Sequence, residues 1–224
     1  MSFKKITFLF LCCCLSSFLT QAQKLLSEGT ITYKITISGK IPTPANEPSV
    51  TETKSGTVSI RIKGDNIRQD IKLEDGYSHA QISNYATGKE IILQSINELK
   101  YAIELNIKDK ETQNASYYKA ALTLNKEKKT FAGFDAVSAL LTYKNGTTFS
   151  LFIVPDYYIS YPAIFDRFPD IKAIPASYDL LMTNGFTMHF ELTSLNEVPV
   201  ENAAFRVPVG YRIIGQKEYE KLLR

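Results

Sequence analysis

The sequence predicts one mainly β domain built from antiparallel strands. Three observations carry this. Apolar and polar residues alternate with period two through most of the chain, in runs rich in β-branched residues. Asp75-Gly76, Asn145-Gly146 and Asn184-Gly185 separate consecutive runs, and these are the dipeptides that hairpin turns select. Through the meander from Tyr77 to Asn106 each connection is too short for a parallel crossover. About ten or eleven strands result, within the size of a single all-β domain.

The first run, Glu28 to Lys40, sets Ile31, Tyr33, Ile35 and Ile37 against Thr30, Thr32, Lys34 and Thr36. A proline-broken loop, Ile41 to Pro48, follows. Val50 to Lys63 resumes the alternation, with Val58, Ile60 and Ile62 on one side. After the Gly64-Asp65-Asn66 turn, Ile67, Ile71 and Leu73 face one way and Arg68, Asp70 and Lys72 the other. Tyr77–Tyr85, Glu90–Gln94 and Leu99–Asn106 continue a meander. Residues 107–116 are polar and read as a loop, Tyr118–Leu124 as a strand in preference to a helical turn, and Asn125–Thr130 as a charged turn. Phe134–Tyr143 and Thr148–Val154 flank Asn145-Gly146, which predicts a type I′ hairpin. An irregular segment then gathers Tyr157, Tyr158, Tyr161, Phe165 and Phe168 between prolines. Ile174–Thr183, Phe186–Thr193 and Phe205–Tyr211 are extended, and Gly215–Arg224 has the best helical pattern.

Residues 1–22 have the pattern of a secretory signal: Lys4 and Lys5, an apolar run from Ile6 to Leu19, then Thr20-Gln21-Ala22. The expected product is an exported domain, residues 23–224, with no membrane span after signal removal. The run falls short of the ~20 apolar residues that a bilayer span needs. All three cysteines, Cys12, Cys13 and Cys14, lie in the signal. Disulfides and thiolate chemistry are therefore not expected in the rest. A lipid anchor on one of them is disfavoured by the residues preceding it. Charges are nearly balanced and interspersed, with no clustered basic face of the kind nucleic acid requires.

Few residues suggest catalysis. His79 and His189 are the only histidines, short of the three or four ligands of a metal site unless carboxylates such as Glu191 converge with them. No nucleophile elbow, phosphate loop or dinucleotide fingerprint is present. Asp65, Asp70, Asp135 and Asp156 fall near strand ends, where turn formation competes with an acid–base role. The aromatic segment has two readings: a loop packed over the core, its rings burying apolar area, or a lid over an apolar cavity.

Gly64-Asp-Asn-Ile-Arg68, Thr87-Gly-Lys89, Lys129-Thr-Phe-Ala-Gly-Phe134, Phe168-Pro-Asp-Ile-Lys172 with Ile174-Pro175, and Phe205-Arg-Val-Pro-Val-Gly-Tyr211 occur in that order. Together they resemble a family of exported Bacteroidetes proteins of unknown function. That family is similar in fold to the outer-membrane lipoprotein carriers of the LolA and LolB type. Two positions depart from the family pattern: Ile174 stands where a glycine is common and Ala176 where a leucine is. The resemblance implies a single strongly curved antiparallel sheet, a half-open barrel, with a short helical lid segment and a C-terminal helix. It implies an apolar groove lined by Ile35, Ile60, Ile71, Ile103, Leu151, Met188 and Phe190. The lid would be Tyr157, Tyr158, Tyr161, Phe165 and Phe168. Arg68 would match the carriers' functional arginine as a polar contact, with a surface salt bridge as the alternative.

The expected function is a non-enzymatic periplasmic or outer-membrane-associated carrier. It would shelter a lipid or a lipoprotein acyl chain and need no cofactor or metal. The alternative is an envelope interaction module with a filled core. A glycosidase would require two facing carboxylates.

Overall fold

The computed structural model describes residues 23–41, 50–96, 98–182 and 185–222. The expected signal with its cysteines, and the proline-broken loop, lie outside the described residues. The strands are β1 (Lys24–Leu25), β2 (Glu28–Ile41), β3 (Val50–Lys63), β4 (Asn66–Leu73), β5 (Ser78–Asn84), β6 (Lys89–Ile96) and β7 (Leu99–Asn106). After helix α1 (Ile107–Gln113) come β8 (Ala121–Phe131), β9 (Phe134–Thr142), β10 (Thr148–Val154), β11 (Tyr157–Tyr158), β12 (Ile174–Leu181), β13 (Thr187–Asn196) and β14 (Arg212–Gly215). Helix α2 (Gln216–Leu222) follows, where the C-terminal helix is predicted.

Twelve strands form one sheet in the order β14-β7-β6-β5-β4-β3-β2-β13-β12-β10-β9-β8. The sheet does not close; β14 and β8 are its edges. Two pairings correct the expectation of a single antiparallel sheet. β1 pairs in parallel with β11 as a separate ribbon, and β14 pairs in parallel with β7. The second arises because the chain leaves β13 in mid-sheet and re-enters at the far edge. At about 4.8 Å per strand that crossing is roughly 30 Å, within reach of residues 197–211 at up to ~3.3 Å each. A crossover of that length permits a parallel partner.

The crossing segment is fastened to the back of the sheet. Lys63 Nζ donates to the Val200 carbonyl (2.8 Å), the Val200 amide to Glu28 (2.9 Å), and Arg68 Nη1 to the Ala204 carbonyl (3.0 Å). Phe205, Val207 and Tyr211 then cover Ala80, Ile82, Leu93 and Ala102. On the front face, Ile31, Tyr33 and Ile35 of β2 join Val58, Ile60 and Ile62 of β3 in the main core. Residues of β9, β10, β12 and β13 complete it.

Three local expectations are corrected. Residues 107–113 are helical, started by Asn106, whose side chain accepts from the Lys108 amide (2.9 Å); only Ile107 is buried, so no apolar stripe marks the helix. The expected charged turn at Asn125–Thr130 belongs to edge strand β8, whose lysines are typical of an unpaired edge. The Asn145-Gly146 turn is not type I′. Gly146 has φ 82° while Asn145 keeps negative φ, and the Asn145 side chain accepts from the Thr147 amide (3.0 Å). Tyr143 and Thr147 close the loop around them, the longer hairpin form with glycine in the left-handed position.

Candidate binding site

The aromatic segment between β10 and β12 is divided in its environment. Phe165 and Phe168 lie in the main core, 4% and 2% exposed. The Phe168 ring stands edge-on to Tyr178 (5.0 Å between centroids) and tilted against Phe149 (5.5 Å). Tyr178 stacks on Phe190 (4.5 Å), and Tyr33 meets both edge-on. Tyr157, Tyr158 and Tyr161 are half-buried at the rim. Tyr157 packs against Phe134 (5.6 Å), and Tyr161 stacks on Tyr85 (4.2 Å) while donating its hydroxyl to Asp65. The helical character expected here is a single 3₁₀ turn, Pro162–Ile164. The void left between segment and sheet is about 50 Å³. That is little more than the space of one or two waters.

The predicted groove residues separate accordingly. Ile35, Ile60, Leu151 and Phe190 are in the filled core. Ile103 lies in another cluster, with Tyr101 and Ile214, against which Tyr219 of α2 packs. Ile71 and Met188 line open space: a cleft of about 420 Å³ that also takes in Ile37, Leu73, Tyr77 and Met182. It lies on the front face across β5, β4, β3, β2 and β13, where Met188 pairs with Ile37 and Ile71 with both Val58 and His79. A Lys54–Asp75 ion pair (3.0 Å) also lines it. The half-buried His79 is at its wall. Burial, assisted by the positive charge of Lys110, lowers the imidazole's pKa and favours the neutral ring.

Farther along the front face, polar groups replace the apolar ones. Gln81 Nε2 (2.7 Å) and Ser83 Oγ (3.2 Å) both donate to Glu90 Oε2. Lys110 Nζ lies 4.0 Å from that carboxylate and 2.9 Å from Asp166. Burial pushes the Glu90 carboxyl upward, against the pull of Lys110 and Ser83.

Arg68 is not in the cleft. It lies on the opposite face, where its Nε and Nη2 grip Asp70. Of the other acidic candidates, Asp65 is bound by Tyr161 and Asp135 is exposed. His189 Nδ1 lies 2.6 Å from Asp179 on the surface. Among the described residues, no group of three or more histidine, cysteine or acidic side chains could hold a metal ion. Sequence reasoning missed Ile37, Leu73, Tyr77 and Met182 as cleft residues. Periodicity assigns a face of the sheet, but not which part of that face the aromatic segment leaves uncovered.

No protein-family model matches the chain, and no curated protein matches it. Among solved structures, it is similar to MucB at 16% identity and TM-score 0.43, covering 85% of this chain and 61% of that one. A MucA/MucB complex of Pseudomonas aeruginosa matches at 14% identity and TM-score 0.43, covering 84% and 59%. PNGF-II matches at 12% identity and TM-score 0.40, covering 86% and 32%. The chain thus spans less than two thirds of each of these structures, and at these scores the likenesses decide nothing about function.

Proposed function

We propose that this protein is an exported, non-enzymatic carrier or binding protein that holds an apolar group, such as the end of an acyl chain, in the Ile71–Met188 cleft. In this proposal the sheet is the curved, half-open platform of a periplasmic lipoprotein-carrier-like fold. One observation carries the reading: a front-face space of about 420 Å³ whose walls are mostly apolar. Pockets for small ligands commonly fall between about 300 and 1,000 Å³. Met182 and Met188 suit chains of variable shape, because a thioether side chain adapts to irregular contacts. Burying five methylenes at about 0.8 kcal/mol each would supply roughly 4 kcal/mol.

The test is titration of the purified chain with a fluorescent fatty acid, followed by displacement with unlabelled acyl chains. Met188→Glu should weaken probe binding at least about tenfold, since it places a charge against the apolar wall, with an unchanged circular-dichroism spectrum. A native chain that binds no apolar probe would overturn the proposal. The void of only about 50 Å³ beneath the aromatic segment favours a second reading, an envelope interaction module with a filled core. That reading predicts a captured protein partner and no bound lipid.

A further inference from the structure

The back of the sheet carries a charge arrangement that folding alone does not explain. Arg61 on β3 and Arg68 on β4 are direct cross-strand partners. Like charges at paired positions oppose sheet formation. Asp70 bridges them, with Arg61 Nη2 2.5 Å from Oδ2 and Arg68 Nη2 2.7 Å from Oδ1. Lys72 continues the same face of β4 and joins the three in lining a pocket of about 240 Å³. Ser78 of β5 and Tyr211 of the crossing segment complete its polar wall. Three cations therefore meet one carboxylate, an excess of two positive charges.

The two arginines are not equivalent. Arg68 is committed: Nε and Nη2 to Asp70, and Nη1 to the Ala204 carbonyl. Arg61 reaches Asp70 through Nη2, but its Nε is buried without a partner. A buried donor left unpaired is costly and rare in folded proteins. Bridging by Asp70 accounts for one positive charge. It leaves the other two unexplained.

We propose that this pocket binds a phosphate group, with Arg61 and Lys72 as its ligands and the Arg68–Asp70 pair as the rigid frame behind them. A tetrahedral oxyanion of charge near −2 matches the excess. It can take the outer end of the Arg61 guanidinium on one side and the point charge of a lysine on the other. A group of that charge arrives either as free phosphate or as a phosphomonoester headgroup such as that of phosphatidic acid. This inference is independent of the front-face cleft, since Arg61, Arg68 and Lys72 project from the other side of the sheet.

The experiment uses the full chain at low ionic strength, in two arms. In the first, inorganic phosphate is titrated calorimetrically. In the second, flotation is measured with phosphatidylcholine vesicles containing or lacking phosphatidic acid. Saturable phosphate binding without vesicle preference identifies a soluble phosphate ligand. Preference for the anionic vesicles identifies a headgroup. In either case Arg61→Gln and Lys72→Gln should each weaken binding about tenfold, the loss of one charge-assisted contact. Arg61→Lys, which keeps the charge but not the guanidinium, should recover only part of it. Both glutamine variants keep the Arg68–Ala204 fastening and should retain fatty-acid probe binding. Absence of saturable binding in both arms would overturn the inference, as would binding unchanged in a correctly folded Arg61→Gln variant.

Discussion

Replacing Phe168 by alanine separates a fixed core segment from a moving lid. The ring is 2% exposed and stands at the meeting point of Phe149, Phe165 and Tyr178, with centroids 5.0–5.7 Å away. Truncating a buried phenylalanine costs about 3–5 kcal/mol, and the edge-on contact with Tyr178 places this site toward the middle of that range. About 4 kcal/mol corresponds to roughly 8–16 °C in a chain of this size. The substitution also enlarges the existing space of about 50 Å³ at this site, and unfilled volume adds to the loss. Urea unfolding should show the loss in the midpoint with an unchanged slope. If the loss is under about 1 kcal/mol, the ring is not held in the core. The segment would then open over the sheet as a lid.

Two further outcomes concern titrating groups. Burial raises the Glu90 carboxyl pKa above its usual 4.5, so the folded state holds that proton more tightly than the unfolded one. Stability from this group therefore falls as pH rises from about 4.5 through the raised value. Glu90→Gln should remove that slope and leave the protein more stable than native at neutral pH, read from urea midpoints across the acid-to-neutral range. Asp70 behaves oppositely: burial would raise its pKa, but Arg68 and Arg61 together outweigh this and hold it below 3.8. Its contribution is present above 3.8 and lost as pH falls through the lower folded value. Asp70→Asn should therefore cost about 3 kcal/mol at neutral pH, the penalty for unpairing buried charges, with the difference from native fading in strong acid.

The strands of the front face were legible because each alternates cleanly. Ile31, Tyr33, Ile35 and Ile37 are all buried, as their spacing predicts. Edge strand β8 was only partly legible: Leu122 and Leu124 alternate like core residues, yet are 44% and 55% exposed. Alternation records that a strand has an apolar face, not that anything covers it. The parallel β14 escaped notice because its partner, β7, lies more than a hundred residues earlier in the chain. No local pattern encodes so distant a pairing. The cleft was half-legible for a related reason. Ile71 and Met188 share the front face with Ile60 and Phe190, but the aromatic segment covers only the latter two. Arg68 was visible as a motif residue, whereas its side of the sheet follows from its pairing with Arg61 and Ile82.

That coverage explains where a binding space can exist at all. The sheet offers one continuous front face, and Phe165 and Phe168 fill its middle. At one side the chain turns polar, and Glu90 and Lys110 would penalise an apolar ligand through desolvation. At the other, Ile37, Ile71, Leu73, Tyr77, Met182 and Met188 line the space that the aromatic segment leaves. An apolar surface left open in this way is a cost in free energy that a ligand would recover. The aromatic segment thus acts on the cleft by where it stops. Lengthening its coverage would convert the remaining space into ordinary core, and the carrier reading depends on that boundary more than on any single wall residue.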